Sequence, residues 1–197
     1  MSEFKKKMTE KIKIYSKEEY YAGYLQNEFL TDDNDADIFL HLTDINQLID
    51  NRTVGNQVEL TNDFYDFVEQ KSSVLNNDVK IELHISGLKL SNKEQGMVKH
   101  IVKEHYGVEL HKVQKRYLQC RDKIIHLFTF GFLIALLYFL LITFTDANFE
   151  FGFEVLSFVF SFALWEAFDA IIYSLNDIKY EREEITQNLL MNITFED

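Results

Sequence analysis

Residues 127–144, LFTFGFLIALLYFLLITF, contain no formal charge over eighteen positions. At 1.5 Å rise per residue, roughly 20 apolar residues cross a ~30 Å hydrocarbon core. Ile124 and Ile125 bring the run to that length. A core helix of a soluble protein keeps a polar face, and this run has almost none, so 124–144 is read as a transmembrane helix. A second apolar segment, 151–173, carries Glu154, Glu166 and Asp169. An acid near the bilayer centre costs ~2.5–3.5 kcal/mol on insertion scales. Glu154 and Asp169 lie toward the ends, so only Glu166 would be deep. The link at 145–150 is short, which makes the second helix return antiparallel to the first.

The flanking charges set an orientation. Lys112, Lys115, Arg116, Arg121 and Lys123 precede the first apolar helix, Lys179 and Arg182 follow the second, and the connecting TDANFE has no basic residue. Basic residues stay on the cytoplasmic side. Both termini are therefore expected in the cytoplasm, with the protein in the inner (cytoplasmic) membrane. The N-terminal MSEFKKKMTEKIK lacks an apolar core, so no cleavable signal peptide is expected.

The net charge of −12 is unevenly placed: residues 18–69 hold thirteen acids and one base, Arg52. Such an acidic stretch argues against nucleic-acid binding, which needs a cationic face. Cys120 is the single cysteine, which excludes a disulfide framework and a CxxC metal motif. With no proline and seven glycines, long helices meet few breakers.

The soluble part reads as a small α+β domain. Apolar Val79, Ile81, Leu83 and Ile85 alternate with Lys80, Glu82 and His84, the pattern of a half-buried strand. Ser91 and Glu94 match a capping box opening a helix that turns Met97, Val98, Ile101 and Val102 to one face and ends near Gly107. Residues 37–42 form a strand candidate, and Thr61 or Asn62 caps a helix burying Phe64, Phe67 and Val68. Residues 17–30 read as an amphipathic helix, 43–57 as a loop, and 193–195 as a strand that returns to the domain. The expected order is a basic tail (1–16), an α+β domain (17–107), a basic juxtamembrane helix (108–123), a helix (124–144), an external loop (145–150), a helix (151–173), and a cytoplasmic helix and tail (174–197).

Glu166 and Asp169 share a helix side with Ala163, Ala167 and Ala170, and Gly131-xxx-Ala135 offers a matching small surface on the first helix. The structural reading has Glu166 neutral unless a cation or water reaches it, and hydrogen-bonded, with Thr129 able to supply the bond, and Asp169 paired with Arg121, Lys123 or His126. The functional readings are a proton relay or an acid-lined pore. Trp165 lies too deep for an interfacial belt and reads as a packing residue. The run Asp33 to Asp44 imitates a calcium loop but has Ile38 at the glycine position and Asp44 at the bidentate glutamate position. His100, Glu104, His105 and His111 lack metal-ligand spacing, and no catalytic or cofactor motif is present, so neither a metal, a cofactor nor an enzyme is expected. Asn192-Ile193-Thr194 is a glycosylation sequon on the expected cytoplasmic side and is discounted. Cys120 occupies a plausible acylation position, though a reduced thiol is the simpler reading.

A strand followed by a helix through His105-Tyr106, a basic run into the first apolar helix, and Trp165-Glu166-Ala167 followed by Asp169 together resemble uncharacterised bacterial two-span membrane proteins. The resemblance spans residues 38–195 and implies the architecture but no chemistry. The expected function is a non-enzymatic, membrane-anchored interaction module with the lipid bilayer and a cytoplasmic protein as partners, able to self-associate through its hairpin. The alternative is a small oligomeric channel or membrane effector gated by the cytoplasmic domain.

Overall fold

The computed structural model describes residues 3–17, 22–25, 28–31, 35–50, 52, 58–144 and 150–196. Its elements are α1 (Glu3–Tyr15), β1 (Ala36–His41), a 3-10 turn (Ile45–Gln47), α2 (Asn62–Ser72), β2 (Ile81–Ser86), α3 (Asn92–Phe144), α4 (Glu150–Asp169), a π-helical stretch (Ala170–Leu175), α5 (Asn176–Leu190) and β3 (Asn192–Glu196). They form two compact units. The first comprises residues 1–107 with 184–197, and the second residues 108–183.

The first unit is built on a three-stranded, wholly parallel sheet in the order β1-β2-β3. Parallel strands need long crossovers, usually helical. Between β1 and β2 the crossover carries α2. Between β2 and β3 it carries α3, α4 and α5, so the second unit is an insertion between two paired strands. Crossovers that step across a sheet in one direction, each right-handed as nearly all are, lay their helices on one face. Burial follows that rule. Ile38, Ile81, Leu83, Ile85 and Ile193 pack with Phe64 and Val68 of α2 and Val98, Val102 and Tyr106 of α3. The opposite face carries the polar side chains.

Caps and turns follow from local chemistry. Thr61 Oγ1 accepts the Phe64 amide at 3.3 Å and donates to the Gln47 carbonyl at 2.7 Å, so α2 starts at Asn62. Ser91 and Glu94 make the reciprocal capping contacts: the Ser91 amide donates to Glu94 Oε2 at 2.8 Å, and the Glu94 amide to Ser91 Oγ at 3.4 Å. Within the expected 43–57 loop, Asp44 and Gln47 form a second capping box around the 3-10 turn. Residues 22–25 of the expected 17–30 helix are helical, and Leu25 and Phe29 are buried; 18–21 and 26–27 lie outside the described residues.

The expected helix end near Gly107 is absent, since α3 continues to Phe144. An interior glycine costs about 1 kcal/mol against alanine but does not forbid helix. A glycine stop needs a left-handed backbone, and among the described glycines only Gly87 has a positive φ.

Burial governs two tyrosines of this core. It pushes the Tyr65 hydroxyl up to about 12, with Glu59 adding to the effect, and it pushes the Tyr106 hydroxyl upward as well. The Tyr65 ring stacks on His105 at 3.7 Å between centroids. At the other end of the chain, the buried Gln187 of α5 donates from Nε2 to the carbonyls of Asn76 (2.8 Å) and Val79 (2.7 Å). That pair of bonds ties the segment before β3 to the turn before β2.

Gly87 ends β2 at φ +87°, and a Cβ there would collide with the Leu42 carbonyl oxygen and lie 2.6 Å from His41 Cε1. Gly87→Ala is therefore expected to destabilise the first unit by more than about 1 kcal/mol. Urea unfolding of the detergent-solubilised chain, followed by hydrogen exchange in β1 and β2, measures this. An unchanged midpoint would contradict it.

Candidate functional site

Two clusters of polar side chains stand out, one in each unit. In the second unit, α3 and α4 run antiparallel in a register traced by successive contacts. Ala135 and Tyr138 face Leu156, Ser157 and Phe160, a Cβ on Gly131 would sit 3.8–3.9 Å from Phe160, Ala163 and Leu164, and Phe128 meets Phe168 edge-on at 5.9 Å. Beyond them Arg116 pairs with Glu181. Ala163, Ala167 and Ala170 are buried, as is Gly131. Small residues on both helices allow the backbones to approach closely.

Lys123 Nζ lies 2.7 Å from Glu166 Oε1. A cation four carbons long thus reaches Glu166 from the adjacent helix, which is the exception that the neutral-carboxyl reading allows. Thr129 does not serve Glu166: its hydroxyl donates to the Ile125 carbonyl of its own helix at 2.8 Å. Asp169 is exposed, and Lys123 goes to Glu166 instead. Trp165, read as a packing residue of the hairpin or of an oligomer, is 73% exposed, so it does not pack within the hairpin. His126 is exposed and lines an open recess along α3 with Gln119, Asp122 and Lys123.

The juxtamembrane basic set is engaged by acids more than the sequence suggests. Lys112 pairs with Glu109, Arg116 with Glu181 and Arg121 with Asp122, while Lys115 is exposed. Arg182 lies 4.7 Å above the Tyr117 ring and donates to Gln114 Oε1 at 3.3 Å. These contacts continue the antiparallel register past the apolar region.

In the first unit, the polar face of the sheet gathers Asp37, Phe39 and His41 from β1, Glu82, His84 and Ser86 from β2, and Asn192, Thr194 and Glu196 from β3. His84 is its centre. Its Nε2 lies 3.3 Å from Asp37 Oδ1, and its Nδ1 lies 3.1 Å from Glu196 Oε1 and 2.9 Å from Thr194 Oγ1. Phe39, 65% exposed, stacks on the imidazole at 4.8 Å. Lys80 bridges Asp35 (3.1 Å) and Glu82 (3.3 Å). The Asn192 amide first, and then Lys80, hold the Glu82 carboxyl below its usual range; the bond to Asp35 leads in holding the Lys80 ammonium above its own.

Asp37, Glu82 and His84 place one ligand atom each within 4.8 Å of one another, the one group among the described residues with a metal-type donor set. Each of the three already contacts a neighbouring protein group. The histidines and acids weighed from sequence are dispersed instead. His100 faces Glu104 at 3.7 Å on an exposed helix side, and His105 stacks on Tyr65. In the calcium-like run, residues 32–34 lie outside the described residues, Asp37 is in a strand, and Asp44 caps the 3-10 turn.

The His84 cluster escaped sequence reading because its members come from strands far apart in the chain. The alternation at 79–85 places Glu82 and His84 on one face, but only the pairing partners reveal what faces them. No family model, curated protein or solved structure matches the chain.

The Lys123–Glu166 contact is open to a double-mutant cycle with Lys123→Met and Glu166→Leu in detergent micelles. A coupling of about 0.5–1 kcal/mol in unfolding free energy is expected for a partly exposed pair. Additive single effects would show that the contact contributes nothing to helix pairing.

Proposed function

We propose that this chain is an integral membrane protein whose α3–α4 hairpin is embedded in the bilayer, with both termini in the cytoplasm, and whose sheet-bearing unit is a non-enzymatic module for binding a cytoplasmic protein. The observation that carries the reading is the distribution of apolar surface on the second unit. Both helices are long and apolar enough to cross a membrane, and most of their apolar windows are unburied. Phe132, Phe139, Phe158 and Phe162 are each more than 60% exposed. Water tolerates few such contiguous patches, whereas lipid is their natural solvent.

The channel alternative requires the face of Glu166 and the alanines to line a lumen. That face packs against Gly131 and Lys123 within the pair, which favours the anchor. The surface left for neighbours is mainly Phe and Leu, suited to lipid or to a second copy. For the binding module, the support is the sheet face that the described residues leave uncovered at Phe39. Parallel sheets are usually covered on both faces, and here one face presents Phe39 over a charged row. Within that row His84 contacts Asp37, Glu196 and Thr194, and the Asn192 amide donates to Glu82.

Carbonate extraction and cysteine labelling test the reading in a Cys120→Ser chain. Resistance to extraction is expected, with Asn148→Cys labelled from the outer side only. Release by carbonate would refute the anchor, and labelling from the cytoplasmic side alone would invert the orientation. Ion flux through vesicles holding the pure protein would favour the channel.

A further inference from the structure

We propose that α1 lies on an anionic lipid surface, as an interfacial basic amphipathic helix. The partner class rests on the membrane-anchored reading above, but the helix points to it independently. α1 holds five lysines against two glutamates, a net +3 in a chain whose total is −12. All its described side chains, at residues 6–8 and 10–15, are exposed. Isolated helices of this length are marginal in water, and in proteins they gain stability by docking an apolar face. α1 has such a face. Met8, Ile12 and Tyr15 recur at helical spacing and are 48%, 59% and 52% exposed.

The lysines are arranged around that stripe. Lys11 borders it with Nζ 5.4 Å from the Tyr15 ring centroid, and Lys7 flanks the same edge. Lys6 and Lys13 fall on the opposite side by helical periodicity. A helix lying in the interface buries its apolar side at the acyl boundary, and long basic side chains reach back to the headgroups. The acidic stretch at 18–69 is repelled by an anionic leaflet, whereas α1, like the basic juxtamembrane segment at 108–123, carries the charge to approach it.

The rival occupant is protein, above all the chain's own acidic stretch at 18–69. The discriminating experiment uses the full-length chain with Cys120→Ser and Met8→Cys carrying a nitrobenzoxadiazole probe. It is reconstituted into vesicles of phosphatidylcholine alone, or with about one third phosphatidylglycerol. Each vesicle type also contains nitroxide-labelled lipid as a quencher. Carbonate-resistant flotation reports anchoring separately.

In anionic vesicles we expect a blue-shifted probe quenched about twofold or more relative to phosphatidylcholine alone. The excess should disappear in about 0.5 M NaCl and in the chain with Lys6, Lys7, Lys11 and Lys13 all changed to Gln. Equal quenching in both vesicle types would overturn the proposal, as would a blue shift without quenching, which marks docking on protein. Charge-dependent quenching in chains that carbonate strips off would keep the proposal and overturn the anchor. Carbonate-resistant chains without such quenching would do the reverse.

Discussion

The parallel pairing of β2 with β3 is the interaction on which the rest of the first unit depends. It joins residues about 110 positions apart, with Glu82 against Asn192 and Ser86 against Glu196. β3 gives the inner face Ile193 and the outer face Thr194 and Glu196. Without it, β2 would be an open edge, the Ile193 contribution to the core would be lost, and His84 would keep only its β1 neighbours Asp37 and Phe39. Closing so long a loop costs entropy that grows only slowly with length. The loop here is two packed helices, not free chain, which brings the ends together more cheaply than a coil of equal length.

The second unit rests on close approach. Gly131 and the buried alanines place two helices side by side and turn the large apolar residues outward. On the proposed reading this exchanges the usual logic of a core. In lipid, burial of phenylalanine gives no gain, and what holds helices together is packing of small residues and a few polar contacts. Lys123 with Glu166 fits that pattern at the edge of the apolar region. The partners of Arg116 and Arg182 extend the same register outside it.

Much of this was legible in sequence where a feature is local. The capping box at Ser91 and Glu94, the Thr61 cap, the alternation of β2, the uncharged run and the small-residue face each have a short-range signature, and the structure carries all of them. Gly107 misled because a glycine is also compatible with helix when neither a left-handed turn nor a proline follows. The partner of Glu166 was misassigned because a threonine at matching depth satisfies its own backbone, while a lysine further along has the reach. The His84 cluster depends on strand register across more than a hundred residues, which no window of sequence contains. The basic character of residues 5–13 was plain, but the exposure of residues 6–8 and 10–13 on a helix emerges only from the structure.

The claim at the centre of this account is that the chain returns after the helical pair to complete the sheet it left. Hydrogen exchange of the full-length chain and of a chain ending at Met191, both in the same detergent, tests it directly. The amides of β2 and of the turn at 76–79 are expected to lose protection on truncation, while those of residues 127–144 keep theirs. Equal protection of β2 in the two chains would contradict it, because the first unit would then be complete without its last strand.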